Sequence, residues 1–164
     1  YRRDAELETN RDIKYSLADI PLPNGVLRVD KVSGPNTTPI RLGHYTLPEN
    51  DGTPVKESTS AKVPGATIIS NGEYSLAMVN LTDWNKTSVL HPEGIHPVSS
   101  TCGLIMNEKQ VQKEEVMVTL MLWKKGKKSF SKKELTPVKS IKVSDDKKSV
   151  EIVMADKTVK KVTF

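Results

Sequence analysis

"KSIKVSDDKKSVEIVMADKTVKKVTF", residues 139–164, is the stretch that decides the fold class. Three short runs, KSIKVS, SVEIVMA and TVKKVTF, are separated by the turn-forming stretches DDKK and DK. Apolar and polar residues alternate in each run, the period-two pattern of a strand with one buried face. Ile141 and Val143, then Val150, Ile152 and Met154, are the expected inward positions. Connections this short join antiparallel neighbours, so the segment reads as a meander within one sheet.

The same reading extends upstream. ATIIS and EYSLAMVNL flank Asn71-Gly72, a dipeptide favoured in type I′ hairpin turns because both residues tolerate positive φ. Tyr74, Leu76 and Met78 would share one face of the second strand, with Ser75, Ala77 and Val79 on the other. A strand so apolar on both faces belongs at the centre of a sheet. GVLRVDKV, IRLGHYTL, TCGLIMN and EEVMVTLMLW supply further strands. Residues 49–65 are rich in Gly, Pro, Ser and Thr and read as a long loop. Only Glu108 to Glu115 could form a helical turn or two, and no segment keeps a helical period. The expectation is an all-β, two-layer antiparallel sandwich, supersandwich-like, over residues 13–164, with 1–12 a ragged N-terminal connection.

Composition sets limits on function. At 164 residues the chain can bury a real core, and with aromatics at 5% that core rests on Val, Ile, Leu and Met. The longest apolar-rich run, Val116 to Trp123, is too short for a membrane span, so a soluble domain is expected. The chain starts at Tyr1 without a signal-like stretch, so any targeting segment is expected to be missing from it. Cys102, the lone cysteine, excludes an internal disulfide and a thiolate zinc framework, and reads as a buried, inert thiol. GxSxG, GxxxxGK[ST] and GxGxxG are all absent, and no cofactor is implied.

Few residues carry candidate chemistry. His91 and His96 lie five apart in HPEGIHP, bounded by prolines, which no helix could present as a metal pair. They are metal candidates only if a loop folds both inward, with Glu93, His44 or Asp83 completing a site; the expected role is a rigid turn, and no metal and no catalytic residue is assigned. His44, in the strand IRLGHYTL, would face away from Tyr45 and lacks an obvious orienting partner. Residues 1–108 carry a net charge of −3 and residues 109–164 one of +8. Lys124, Lys125, Lys127 and Lys128 flank Gly126 at an expected hairpin tip, where they form either an anion-binding cluster or a solvated edge guard. Nucleic acid is a poor fit, since arginines and interleaved aromatics are missing there. Among the aromatics, Trp84 in WNKTS has the better setting for stacking on a sugar, with Tyr74 and Trp123 behind it.

The segment IISNGEYSLAMVNLTDWNKTSVLHPEGIHPVSS, together with RLGHYTLPEN, resembles β-sandwich regions of heparinase II/III-like polysaccharide lyases and related bacterial glycan-degrading proteins, over roughly residues 26–110. That resemblance implies a secreted setting, extracellular or periplasmic, and a catalytic helical toroid upstream, since this chain cannot form one. It carries no motif that gives His44, His91 or His96 a role. The leading expectation is therefore a non-catalytic sandwich domain that supports a catalytic partner domain or touches glycan. A stand-alone module gripping acidic polysaccharide through its lysines is the second reading, and an enzyme with a His-loop site the third.

Overall fold

The structure is a computed structural model that describes residues 2–6, 13–34, 38–48, 53–60, 63–91, 93–96, 99–111, 113–126 and 129–164. It is all-β and antiparallel throughout its described pairings. One sheet has the order β1 (Arg2–Glu6), β2 (Lys14–Leu22), β3 (Gly25–Ser33), β11 (Glu114–Lys125), β7 (Tyr74–Asn80), β6 (Ala66–Ser70) and β5 (Lys56–Thr59). A second holds β4 (Thr38–Pro48), β10 (Ser99–Val111) and β8 (Lys86–Leu90), with β9 (Glu93–His96) also paired to β10. The meander is a third sheet of β12 (Val138–Val143), β13 (Ser149–Met154) and β14 (Val159–Thr163). A single turn of helix, α1 (Lys132–Leu135), leads into it.

The long sheet is apolar on both faces because its central strands are. On β7, Ala77 and Val79 join a core with Leu27, Val29, Val118 and Leu120 that packs under Val150, Ile152, Met154 and Val162 of the meander. Leu76 and Met78 point the other way, onto Leu47 and Ile105 of the second sheet. The expected parity of β7 and the inward positions Val150, Ile152 and Met154 are both present. Ile141 and Val143 are half-buried against the same core. The sandwich formed by the first two sheets thus carries the meander as an added layer on its other side.

Four local expectations shift. The loop 49–65 contains β5, an edge strand that alternation could not reveal because all four of its residues are exposed; backbone pairing to β6 alone defines it. Glu108 to Val111 continue β10 rather than coil into a helix, and Lys113 at φ 69° turns the chain into β11. The β6–β7 turn has Gly72 at φ 89° with Asn71 and Tyr74 bracketing it. Asn71 caps that turn instead, its Oδ1 accepting from the Tyr74 and Glu73 amides. Glycine at the first central position is the II′ arrangement, one residue along from the expected type I′ pair. Finally, β11 does not return as a hairpin after Gly126: its neighbours are β3 and β7, and the chain crosses through α1 to the meander. Within the expected N-terminal connection, Arg2–Glu6 pairs with β2 as an edge strand, and residues 1 and 7–12 lie outside the described residues.

Candidate functional site

Among the described residues the sequence candidates do not converge. Trp84 is half-buried against Ile13, Val32, Ile40, Val111 and Met117, so its ring is part of the packing. Strand alternation sends Lys124 and Lys125 to opposite faces of β11. The Lys124 ammonium lies 2.7 Å from Glu134 and 5.0 Å from the centre of the Phe130 ring. Lys124 and the capping box at Ser131 together hold the Glu134 carboxyl down at about 2. Lys125 is exposed, and Lys127 and Lys128 lie outside the described residues. His91 is exposed at the end of β8, and His96 sits in the backbone of β9 opposite Ser99. His44 is the extra residue of a bulge in β4, between Gly43 and Tyr45, whose register partners on β10 are Met106 and Ile105. Among the described residues no three of His, Cys, Asp and Glu come together as a metal site. Cys102 is buried.

What the fold assembles instead is a polar row inside the sandwich. Asp19 of β2, Arg28 of β3, Thr119 of β11 and Asn80 of β7 are successive cross-strand partners. All four lie on the face turned to the second sheet. Arg28 grips Asp19 with two bonds, Nε at 3.0 Å and an Nη at 3.1 Å, a bidentate pair about a quarter open to solvent. At the other end the Asn80 amide donates to Thr87 at 2.7 Å, and the Thr87 hydroxyl donates to Asn107 Oδ1 at 2.6 Å. Asn107 donates back to Asn80 at 2.9 Å, which ties β7 to β8 and β10 across the interface. This row divides the apolar contacts of that face into two clusters, around Met78 and Met121 on one side and Val32 and Met117 on the other.

Beside the row lies Asp30, fully buried. The Tyr15 hydroxyl donates to its Oδ1 at 2.6 Å, while its Oδ2 and the Thr119 hydroxyl have no hydrogen-bond partner among the described residues. Burial pushes the Asp30 carboxyl up from 3.8 to about 6, against the Tyr15 hydrogen bond and the Arg28 charge. Burial, then the Asp30 charge, raises the Tyr15 phenol above its ordinary value. A carboxyl so enclosed cannot reach a substrate; it acts on the packing of the two sheets. The signal is present in GVLRVDKV, where Arg28 and Asp30 interrupt the parity of Val26 and Val32.

No protein-family model matches the chain, and no curated protein sequence does. Among solved structures, heparan sulfate lyase HepC from Pedobacter heparinus superposes with a TM-score of 0.50 at 16% identity, over 99% of this chain and 28% of that one. A heparinase III gives 0.59 at 12% identity, over 99% and 26%. Its lysine-methylated form gives 0.60 at 11%, over 99% and 25%. At such identities the likeness is one of fold, and the heparinase-like sandwich expected from the sequence is the fold found. The chain spans about a quarter of the length of the enzymes it matches.

Proposed function

We propose that this chain is a non-catalytic β-sandwich domain of a secreted, glycan-active protein of the polysaccharide-lyase kind. It gives structural support to a catalytic domain or contacts the carbohydrate. The observation that carries the reading is the superposition of 99% of the chain on only 26–28% of two heparinases. The polar row supports it too, since its ionisable groups are engaged between the sheets, Arg28 and Asp19 bonded to each other and Asp30 beside them enclosed. An extracellular or periplasmic location belongs to the same proposal. No described helix is long and apolar enough to cross a membrane.

Two measurements test it. Incubated alone with heparan sulfate, the chain should release no unsaturated uronate, followed by its ultraviolet absorbance; sustained elimination by the chain alone overturns the non-catalytic role. The sequence of the full gene product should contain a helical toroid ahead of Tyr1, and a product with no catalytic domain overturns the accessory role.

A further inference from the structure

Among the described side chains, Trp123 and Tyr74 are the aromatic rings most open to solvent, at 44% and 40%. Both sit on central strands. Alternation along β11 puts Trp123 on the face of Met121, and along β7 puts Tyr74 on the face of Leu76 and Met78. Those neighbours are buried against the second sheet, so the two rings continue the same face out past its cover. In register Trp123 lies opposite Leu76, and Tyr74 lies opposite Lys125. Trp123 and Tyr74 are therefore diagonal neighbours, about 7–8 Å apart, within reach for large side chains. Lys125 is exposed on that face and makes no ion pair among the described residues, unlike Lys124 behind it.

We propose that Trp123, Tyr74 and Lys125 form a surface site for an anionic sugar chain. A pyranose ring has apolar C–H faces of slight positive charge, which match the electron-rich face of an indole or phenol. Its hydroxyl edge can stay in water, so a shallow site suffices. A lysine directly across from one ring supplies a hydrated point charge for a neighbouring carboxylate or sulfate. A single exposed apolar side chain would need no explanation. Here one of only two tryptophans in the chain shares a rigid sheet face with a second exposed ring and a cation that has no ion pair among the described residues. The inference rests on the glycan-active reading above and names where contact occurs.

Isothermal titration of the full 164-residue chain with a heparin-derived tetrasaccharide and with cellotetraose tests it. Trp123→Ala should weaken binding of both by roughly tenfold, and Tyr74→Ala by roughly threefold. Lys125→Gln should weaken only the sulfated ligand, and by more at low salt than at high salt. Lys160→Gln, exposed on β14, should change neither. All four side chains are exposed, so each variant should keep the circular dichroism spectrum of the parent. Wild-type affinity in both aromatic variants, or an equal loss in Lys160→Gln and Lys125→Gln, overturns the site. So does sedimentation showing self-association that Trp123→Ala abolishes, because the rings would then be covered by protein. Absence of binding to either ligand overturns the site alone, since the accessory role is judged on the gene product and the elimination assay.

Discussion

Replacing Asp30 with asparagine separates the cost of burying a charge from the rest of the fold. In the unfolded chain this carboxyl titrates near its ordinary 3.8; in the folded chain it titrates at about 6. Its folded form binds the proton more tightly, so its contribution to stability is fully present below 3.8 and is lost as pH rises to about 6. Each pH unit of that gap corresponds to about 1.4 kcal/mol, so the loss amounts to about 3 kcal/mol by pH 7. Asparagine keeps the acceptor for Tyr15 and places an amide where the parent's Oδ2 already lacks a partner among the described residues, so the exchange itself changes little against the protonated carboxyl. Asp30→Asn should thus be close to the parent in stability at pH 4 and more stable than it by about 3 kcal/mol at pH 7. Urea unfolding across this range, with unchanged m-values, measures the difference directly. Tyr15→Phe should move the parent's loss to higher pH, because the hydroxyl now favours the carboxylate. The remaining carboxyls are common to both proteins and cancel. A stability difference between parent and Asp30→Asn that does not change with pH would refute the reasoning, since the carboxyl would then be solvated rather than enclosed.

Three further outcomes follow from the packing. Gly25→Ala should destabilise by about 1–3 kcal/mol in urea unfolding, because its Cβ would overlap the Met121 carbonyl and sit 2.6 Å from Leu122 Cδ2. Asn107→Ala should cost about 2–3 kcal/mol, since it strips the shared partner from both Asn80 and Thr87 inside the interface. Protein purified without a histidine tag should hold less than one zinc, nickel or copper per chain by elemental analysis; a tightly held metal lost in His91→Ala or His96→Ala would restore the His-loop reading.

The parts of the fold legible in the sequence are those in which one face is buried. The meander announces itself because Val150, Ile152 and Met154 alternate with exposed or half-buried residues across short turns. The strand β7 is legible as central because Leu76, Ala77, Met78 and Val79 are apolar on both parities. An edge strand such as β5 carries no such record: its residues are exposed on both faces, and its only constraint is main-chain pairing to β6. The lysine-rich end of β11 fails as a hairpin tip for a related reason. Charge density signals solvent exposure, yet it does not say whether the next strand returns to the same sheet or crosses to another.

For the exposure of an aromatic or a charge, residue type is a poorer guide than strand geometry. Trp84 draws notice because it sits in a polar loop-like stretch, but a loop that closes over a core can draw its aromatic partly inward, as Trp84 packs half-buried against Val32 and Met117. Trp123 is harder to see because it ends the most apolar run of the chain, where a tryptophan is expected to be core. Its exposure follows from geometry: β11 runs on to Lys125, and its last residues carry the face of Met121 out to where Trp123 and Lys125 are exposed. The same overhang releases Tyr74, its diagonal neighbour on β7. Asp30 shows the converse. A charged residue in a strand is ordinarily read as facing water, and only its shared parity with Val26 and Val32 marks it as inward. Both exceptions arise where two sheets of unequal extent meet, which leaves an aromatic outside the contact and encloses a carboxyl within it.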